Sequence, residues 1–383
     1  MNNVDKYNFK SKKSSIKVLH IVLSLEPGGM ENGLVNVSRL LHNNGFDLNV
    51  CCLERVGDFA ERFPDKSKIF LINKPPGISF KTVYRLSQLI KDIKPDIVHT
   101  HNFGPLIYTS LAKLISPKFR LLHGEHGMIK REDSGKLKLL FRKFCYAECD
   151  LIHTVSEGLK NNFVQSGFPE KKIIAIKNGV DTQKFTPGDK LEQRKKLSLP
   201  GGAIVLGIVG RFDSGKRHSI LIEVFNQLAQ KYPELYLLMV GDGGDNYREV
   251  MELVAASPYK NRILMPGFQK DMVQYYRAMD LLVIPSLREG FPNVLLESMA
   301  CGIPALAHPT PGTIETIENG CDGIITNLET RENIKQAIEN AISDLIRLKS
   351  MGINARLKIE NMFSLKIMAD NYSNVYKRLV AKY

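Results

Sequence analysis

Short apolar runs rich in β-branched residues alternate along the chain with longer stretches in which apolar positions recur at helical spacing. In the first half of the chain the short runs are residues 18–25, 48–53, 97–100, 120–123 and 151–155. The first helical stretch follows a glycine-rich turn and ends near Gly45, and its repeating positions are Leu34, Val37, Ser38 and Leu41. This alternation predicts parallel strands joined by crossover helices, so the first half is predicted to be one Rossmann-like layer.

The pattern weakens over residues 178–202, which are rich in Gly, Pro and charge, and a second α/β series follows. Its predicted strands are 203–209, 236–240, 262–265, 280–285 and 303–307, and its predicted helices are 221–231, 272–279 and 292–300. The fold class is therefore α/β, with two Rossmann-like, doubly wound domains that face each other across a cleft. We expect an N-terminal domain over 1–185, a C-terminal domain over 186–365, and a last helix over about 366–383 that packs back on the first domain.

Composition and charge narrow the functional classes. The chain has 383 residues, of which 43% are hydrophobic and 24% charged, so it is predicted to fold, and disordered, collagen-like and coiled-coil classes are disfavoured. The net charge of +13 favours a phosphate-bearing small molecule, nucleic acid or acidic lipid as partner, with a solubilising surface as the alternative. No stretch reaches the ~18 apolar residues of a membrane span. The six scattered cysteines predict buried thiols in a reducing compartment, the cytoplasm.

The first candidate for anion binding is segment 26–33, EPGGMENG, which directly follows the first predicted strand and opens a helix. Gly28 and Gly29 would let the backbone approach an anion, and the helix N-terminus offers N–H groups with partial positive charge. The segment lacks the G-x-G-x-x-G spacing of dinucleotide-binding folds, which argues against a dehydrogenase. A tight turn that binds nothing is the alternative for this segment.

The second candidate is the basic loop that follows the predicted strand at 203–209. Arg211 and Lys216 stand on this glycine-bearing loop, at the end of a parallel strand where such folds bind ligands. The planar guanidinium and the compact ammonium are suited to clamping a diphosphate. A solvated basic loop is the alternative.

The third candidate is segment 288–297, REGFPNVLLE, which follows the predicted strand at 280–285. Pro292 suits an early position of a helix, so a helix is predicted to begin there. Glu289 before this helix and Glu297 inside it are spaced to hydrogen-bond different hydroxyls of an elongated polyol ligand. Solvated or ion-paired glutamates are the alternative.

The order of these motifs resembles glycosyltransferase family 4. The resemblance covers residues 17–383 and rests on EPGG, HGEHG at 123–127, VSEGLK at 155–160, NGVD at 178–181, GRFDSGK at 210–216 and EGFPNVLLE at 289–297. Members of that family are retaining enzymes with nucleotide-sugar donors and the GT-B fold of two Rossmann-like domains. Within the family, PGGMENGLVN, HGEHG and GKRH are similar to bacterial sugar transferases of exopolysaccharide gene systems.

The resemblance implies a role for each motif. The implied catalytic residues are His126, Arg211, Lys216 and Glu289, and no metal ligand is implied. The implied donor-binding residues are Gly28, Gly29, Gly290, Phe291, Asn293, Val294 and Glu297. Glu297 would hold the ribose hydroxyls and Glu289 a hydroxyl of the donor sugar, while Arg211 and Lys216 bind the diphosphate. His126 would lie near the transferred sugar, with His123 as the competitor for that role.

The implied function is retaining, metal-independent transfer of a hexose from a nucleoside-diphosphate sugar to a glycan or lipid-linked acceptor in cell-surface or exopolysaccharide biosynthesis. The donor is a substrate, so no cofactor is expected, and the sequence has no D-x-D motif for a divalent ion. The alternative is a sugar-nucleotide-binding protein without transfer activity, either regulatory or an inactive subunit. Nucleic acid is not an expected partner, because such a partner would need base-stacking aromatic residues among the cations, whereas Trp is absent and the basic residues lie near apolar helical stripes.

The acceptor side offers one further signal, a basic amphipathic segment in the first half. Its cations are Lys130, Arg131, Lys136, Lys138, Arg142 and Lys143, and its apolar residues are Leu137, Leu139, Leu140, Phe141 and Phe144. Such a segment is suited to peripheral contact with an anionic membrane, which would place the protein at the inner face of the cytoplasmic membrane. An ordinary helix with its apolar stripe in the core is the alternative.

Overall fold

The computed structural model describes residues 15–127 and 135–381, without the side chains of residues 136–138. Two units can be distinguished by their internal contacts. The first contains residues 15–125, 135–153 and 369–381, and the second contains 126–127 and 154–368. The domain boundary near residue 185 stays a prediction. Lys130 and Arg131 of the predicted basic segment lie outside the described residues.

A seven-stranded sheet is built from the first half of the chain. Its strands are β1 (Ile16–Val22), β2 (Phe46–Cys52), β3 (Ile69–Leu71), β4 (Ile97–His101), β5 (Arg120–Glu125), β6 (Leu151–Thr154) and β7 (Ile173–Ala175). The order is β3-β2-β1-β4-β5-β6-β7, and the pairs from β3 to β5 are parallel. The five predicted strands of this half are confirmed. The sequence analysis missed β3 and β7, which have three residues each and are too short to show a pattern.

Helices connect these strands and cover the sheet. They are α1 (Gly29–Leu41), α2 (Phe80–Ile93), α3 (Phe103–Lys113), α4 (Lys136–Ala147) and α5 (Glu157–Gln165). The predicted inner face of α1 is confirmed, since Leu34, Val37 and Leu41 are buried. The α2 helix begins where the Ser79 hydroxyl accepts a hydrogen bond from the Thr82 amide, which satisfies one of the free N–H groups of the first turn.

The second half of the chain forms a six-stranded sheet. Its strands are β8 (Ile204–Val209), β9 (Leu235–Val240), β10 (Ile263–Gly267), β11 (Leu281–Ile284), β12 (Ala305–Ala307) and β13 (Ile324–Ile325). They are parallel and lie in the order β10-β9-β8-β11-β12-β13. Strands β8 and β9 are almost completely buried, which explains why they consist of continuous apolar runs rather than alternating patterns.

The helices of the second half of the chain are α6 (Lys190–Lys196), α7 (His218–Lys231), α8 (Tyr247–Ala256), α9 (Val273–Ala278), α10 (Asn293–Ala300), α11 (Pro311–Thr316), α12 (Arg331–Ile342), α13 (Leu345–Met362) and α14 (Leu365–Ala381). The helices up to α13 belong to the second unit, and most of α14 belongs to the first. The predicted fold class is confirmed, and the tail is helical as predicted. Within the part of the chain that the structure describes, no helix combines the length and the apolar character needed to cross a membrane.

The cysteines are unpaired, and five of them are buried as predicted. The prediction is wrong for Cys321, which is exposed. It lies in the turn between α11 and β13, where the chain runs over the surface of the second unit. Its carbonyl oxygen accepts a hydrogen bond of 3.0 Å from the Asn354 side chain.

A layer of buried histidines lies on one face of the first sheet. His20 on β1 is opposite His99 on β4, and its Nδ1 is 3.0 Å from Nε2 of His101. The Tyr376 hydroxyl, on the part of α14 that belongs to the first unit, lies 2.9 Å from Nδ1 of His99. Burial lowers the pKa of His20 to about 3, because an imidazolium in this layer would lose its hydration.

This layer predicts that the protein becomes less stable in weak acid. Burial also lowers the pKa of His218 in the second unit to about 4, whereas unfolding returns each ring to its ordinary value of 6.5. Below pH 6.5 the unfolded chain therefore binds protons that the folded chain does not, so the free energy of unfolding falls as the pH falls. The loss approaches about 1.4 kcal/mol per histidine for each pH unit.

Thermal melting between pH 7.5 and pH 5 measures this effect. The His20→Leu variant is expected to have a shallower decline of Tm than the natural chain. His42→Leu, at the half-buried end of α1, is the matched control and is expected to keep the natural slope. A Tm that stays level over this range in the natural chain would contradict the prediction.

Candidate functional site

The strand order of the second sheet reverses between β8 and β11. The chain runs from β8 outward through β9 and β10, and then returns to β11 on the other side of β8. In open parallel sheets, ligands bind outside the carboxyl ends of the strands at such a switch point. The loops that leave β8 and β11 are the predicted basic loop and the predicted glutamate segment.

The two loops are tied together by Arg217. Its guanidinium donates hydrogen bonds to the carbonyl oxygen of Pro285 at 3.1 Å and to that of Glu329 at 2.6 Å. Arg217 itself has left-handed backbone angles, φ 64° and ψ 35°, and precedes α7. The loop after β8 is therefore fastened to the loop after β11 through a nearly buried cation.

Lys216 and Glu289 form an ion pair, with Nζ and Oε1 2.5 Å apart. The Glu289 side chain is 12% exposed and that of Lys216 31%, so the pair lies at the edge of solvent. Arg211 does not join this pair in the structure. Its side chain is 76% exposed and lies 3.0 Å from the Asp213 carboxylate.

The backbone after Glu289 passes very close to two other segments. A Cβ atom on Gly290 would lie 2.9 Å from the carbonyl oxygen of His126. A Cβ atom on Gly312 would lie 2.5 Å from the carbonyl oxygen of Gly290. Only glycine allows both approaches. The Phe291 side chain, which follows, is buried against Phe363, with ring centroids 5.9 Å apart.

The helix that holds Glu297 begins at Asn293, one residue later than predicted, and Pro292 is the residue before it. Asn178, in the NGVD motif, donates to the Asn293 side-chain oxygen at 3.1 Å and to the Phe291 carbonyl oxygen at 3.4 Å. Val294 is half-buried in the first turn. The first turn of α10 thus stands at the switch point, where its N–H groups carry partial positive charge.

Glu297 lies in α10 and is held by Tyr276. The Tyr276 hydroxyl donates to Oε2 of Glu297 at 2.8 Å. Burial, reinforced by the Glu297 carboxylate, raises the pKa of Tyr276 well above its ordinary value, so the hydroxyl remains a donor. The sequence analysis missed Tyr276, because it lies in an ordinary helical pattern. It included the NGVD motif in the family resemblance but predicted no contact for Asn178.

Gly28 and Gly29 belong to the first unit, where they open α1. Gly28 is extended, with φ −163° and ψ 164°, so its backbone is not strained. A Cβ atom there would lie 2.3 Å from the Glu31 carboxylate, which folds back over the start of the helix. Partial burial raises the pKa of Glu31.

The two histidines of HGEHG have different surroundings. His123 is fully buried, with Nδ1 2.8 Å from the Thr100 hydroxyl and Nε2 3.1 Å from Glu125. His126 is half-buried and directly follows β5. Both ring nitrogens of His123 are thus committed to internal contacts, whereas His126 stands just beyond the strand end.

A buried charged network surrounds Glu125. Its Oε1 accepts from the Arg142 guanidinium at 2.6 Å and from the Tyr146 hydroxyl, in addition to His123. Burial alone would raise the pKa of Glu125, but the hydrogen bond from His123 and the charge of Arg142 outweigh it and keep that pKa below its usual range. Arg142 is therefore a buried internal cation and not part of an exposed basic face.

The remaining described side chains of α4 divide between core and solvent. Cys145 and Tyr146 are buried, whereas Leu140, Phe141 and Phe144 are 66%, 42% and 53% exposed. Lys143 is exposed beside them. The apolar stripe of this helix is consequently not fully used by the core of the first unit.

Two family models match the chain. The family model for glycosyl transferases group 1 matches residues 189–358, and the model for Glycosyltransferase Family 4 matches residues 27–184. Together the two matched segments cover more than half of the chain. The first contains Arg211, Lys216, Glu289 and Glu297, and the second contains Gly28, Gly29 and His126.

Two bacterial relatives match over most of their length. One is the Escherichia coli UDP-Gal:alpha-D-GlcNAc-diphosphoundecaprenol alpha-1,3-galactosyltransferase, 28% identical over 97% of this chain and 99% of the relative. The other is the Staphylococcus aureus capsular polysaccharide biosynthesis glycosyltransferase CapM, 25% identical over 83% of this chain and 85% of the relative.

Solved structures share the fold. Anabaena HepE in complex with UDP-glucose matches with a TM-score of 0.82 and 22% identity, over 95% of this chain and all of that one. A glycosyltransferase from Rickettsia africae matches with a TM-score of 0.78 and 25% identity, over 96% of this chain and 99% of that one. With its two parallel-sheet Rossmann-like units, its matched motifs and these relatives, the chain belongs to glycosyltransferase family 4 and is a glycosyltransferase of the GT-B fold.

Proposed function

We propose that this glycosyltransferase moves a hexose, with retention of configuration and without a metal ion, from a nucleoside-diphosphate sugar to a glycan or lipid-linked acceptor. The observation that carries the proposal is the grouping at the switch point of the second sheet. There a lysine pairs with Glu289, and Glu297 is held by a buried tyrosine beside the first turn of α10. This grouping offers a cation for a diphosphate and carboxylates for hydroxyl groups.

Each residue then has a role in donor binding. Lys216 and the exposed Arg211 bind the diphosphate, and Glu297 binds the ribose hydroxyls. Glu289 binds a hydroxyl of the donor sugar while it keeps its contact with Lys216. The backbone of Gly290, Phe291, Asn293 and Val294 approaches the sugar and phosphate. The contact of Gly28 and Gly29 with the donor phosphate stays a prediction.

Breaking the anomeric bond places negative charge on the departing diphosphate and positive charge on the sugar. The Lys216 ammonium and the first-turn N–H groups of α10 are in place before the reaction, so they stabilise the charge without reorganisation. Lys216 thereby stabilises the charge on the diphosphate, as a divalent ion does in enzymes that use one. The acceptor attacks on the leaving-group face, and the donor phosphate receives its proton.

A double displacement through a protein nucleophile is less well supported. That route needs two carboxyl groups about 5 Å apart, one on each side of the scissile bond. Glu289 is paired with Lys216, and Glu297 accepts from Tyr276, so both carboxylates are engaged in positioning contacts. His126 is the better candidate than His123 for the place beside the transferred sugar, since His126 is half-buried just beyond the end of β5 whereas His123 is fully buried.

The named relatives suggest the substrate classes. A uridine diphosphate sugar is the first donor to test, because the E. coli relative uses UDP-Gal and HepE binds UDP-glucose. The E. coli relative acts on a lipid-diphosphate-linked sugar. A similar acceptor would bring this chain to the inner face of the cytoplasmic membrane, and the exposed Leu140, Phe141, Phe144 and Lys143 of α4 are suited to peripheral contact with anionic lipid.

One transfer assay tests the proposal. The full chain is incubated with UDP-, GDP- and ADP-hexoses and a GlcNAc-diphosphopolyprenol in anionic or neutral vesicles, with and without EDTA. We expect transfer from one donor, an α-linked product from an α-linked donor by NMR, no loss in EDTA and faster transfer on anionic vesicles.

Each arm of the assay can fail separately. Donor binding without transfer to any acceptor would favour the non-catalytic, sugar-nucleotide-binding alternative. A β-linked product would overturn retention, and inactivation by EDTA would overturn metal independence. Equal transfer rates on neutral and anionic vesicles would contradict the proposed membrane contact.

A further inference from the structure

Arg217 directly follows Lys216 in the loop after β8, and its guanidinium donates to three backbone carbonyl oxygens. The acceptor in the loop after β11 is Pro285, at 3.1 Å, and a second acceptor is Glu329, at 2.6 Å. The third is Leu328, which lies with Glu329 between β13 and α12. One nearly buried side chain therefore joins three segments at the carboxyl edge of the second sheet.

The loop after β12 joins the same group of segments through His308. Nδ1 of His308 accepts a hydrogen bond from the Leu328 amide at 3.2 Å. The chain then enters α11, where a Cβ atom on Gly312 would lie 2.5 Å from the Gly290 carbonyl oxygen. The loop after β11 is consequently held near its start by Arg217 and at Gly290 by α11.

Glu289 stands in the loop that these contacts hold, between Pro285 and Gly290. Its ion pair with Lys216 lies at the edge of solvent, and such a pair does little to fix the position of two loops. Hydrogen bonds from a nearly buried guanidinium are stronger, because the donor is charged and water competes less. The relative position of Lys216 and Glu289 is therefore set by Arg217 more than by their own contact.

A purely structural role is the alternative, and Arg262 is an example of it. The Arg262 guanidinium donates to the carbonyl oxygens of Ala229, Tyr232 and Pro233 at 2.7–3.0 Å. These acceptors come before β9, and Arg262 directly precedes β10, so the contacts lie at the amino edge of the sheet. Arg262 thus makes the same kind of contacts as Arg217, but on segments away from the proposed donor site.

We infer that Arg217 is a positioning residue of the donor site, which sets the spacing between Lys216 and Glu289. With that spacing, one sugar nucleotide can place its diphosphate on Lys216 and a hydroxyl of its sugar on Glu289 at the same time. The inference rests on the proposed function, which assigns these two contacts to the donor. Arg217 acts through Glu289 and is assigned no contact with the donor itself.

Arg217→Gly is the decisive variant. A glycine adopts the backbone angles of Arg217, φ 64° and ψ 35°, without strain, so the change removes the guanidinium and keeps the path of the loop. We expect the Kd of the active UDP-hexose to rise roughly 10- to 100-fold, the range for a lost hydrogen bond to a charged group. UDP has no sugar to place on Glu289, so its Kd is expected to rise by a smaller factor. Isothermal titration calorimetry measures both constants.

A double-mutant cycle tests whether Arg217 acts through Glu289. Glu289→Ala removes the sugar contact by itself, so adding Arg217→Gly is expected to raise the Kd of UDP-hexose by less than about 3-fold further. Two residues that act independently would instead give losses that multiply. A merely structural arginine would not produce this loss of additivity.

Two further variants complete the series. Arg262→Ala is the matched control, and it is expected to lower Tm while the ratio of the Kd values of UDP and UDP-hexose stays unchanged. Arg217→Lys keeps a cation but loses the planar fork that reaches several carbonyl oxygens, so an intermediate ratio is expected. Circular dichroism checks that each variant is folded before titration.

The outcomes separate this inference from the proposed function. If the natural chain binds UDP-hexose and transfers the sugar, while Arg217→Gly weakens UDP and UDP-hexose equally or weakens neither, the inference is wrong and the function stands. Losses that multiply in the cycle, or failure of both Arg217 variants to fold, would show a structural role and also overturn it. If the natural chain neither binds nor uses any sugar nucleotide, the proposed function fails and the inference fails with it.

Discussion

Lys216→Ala is expected to abolish the thermal stabilisation that the correct sugar nucleotide gives, and to lower transfer roughly 100-fold or more. The ammonium of Lys216 is the cation that lies against Glu289 at the switch point, so its loss removes the diphosphate contact and leaves the glutamate without its partner. A donor at 100 times its Kd stabilises the natural chain by about 2.7 kcal/mol, a Tm shift of roughly 3–4 °C for a chain of 383 residues.

Glu297→Ala is expected to abolish the same shift, because the ribose hydroxyls lose their acceptor. Tyr276→Phe removes the donor that holds Glu297 and should reduce the shift without abolishing it. Lys231→Ala is the matched control on the neighbouring helix, since Lys231 is 65% exposed and pairs with Glu339 at 3.0 Å. Shifts that survive in both Lys216→Ala and Glu297→Ala would mean that the donor binds elsewhere.

The second large effect concerns stability. Arg142→Met is expected to destabilise the first unit by about 3–5 kcal/mol, the usual cost of leaving one member of a buried ion pair without its partner. Glu125 has a 6% exposed side chain and would lose its cationic partner in the core, where His123 and Tyr146 are its other partners among the described residues. Urea denaturation followed by circular dichroism measures the loss.

Two companion variants make this prediction specific. Lys143→Met removes the adjacent, exposed cation of α4 and is expected to change stability by less than about 0.5 kcal/mol. The double variant Glu125→Leu, Arg142→Met removes both charges and is expected to recover part of the stability lost in the single variant. A single variant as stable as the natural chain would contradict the buried-pair account.

Much of the fold was accessible from the pattern of apolar residues. Strands such as β8 and β9 are buried on both faces, so they appear in the sequence as uninterrupted apolar runs, and their alternation with helices predicts a parallel sheet. Short edge strands carry too few residues for any period, which is why β3, β7 and the two-residue β13 went unnoticed. The start of α10 was misplaced by one residue because a proline suits either side of a helix boundary.

The candidate site was accessible in part. Glycines and charges directly after strands pointed to the loops that hold Lys216, Glu289 and Glu297, since strand ends are where such sheets bind ligands. The pairing of Lys216 with Glu289, 73 positions apart, depends on β8 and β11 being neighbours in the sheet, and no local pattern encodes that. Tyr276 and Asn178 were missed for the same reason.

Periodicity, turn residues and helix-end preferences act over a few neighbouring positions, so the local elements, the parallel α/β class and the loops that carry chemistry follow from the amino-acid pattern alone. Which charges are buried together and which backbone is strained depends on contacts made in the folded protein. In the sequence, Arg142 cannot be distinguished from the other cations of its helix, but in the structure it is a buried ion-pair partner of Glu125. Asn102 is an ordinary loop residue in the sequence, but in the structure it lies between β4 and α3 with glycine-like backbone angles, φ 65° and ψ 164°. Burial and strain arise from contacts between distant segments, so they exist only once the chain has folded.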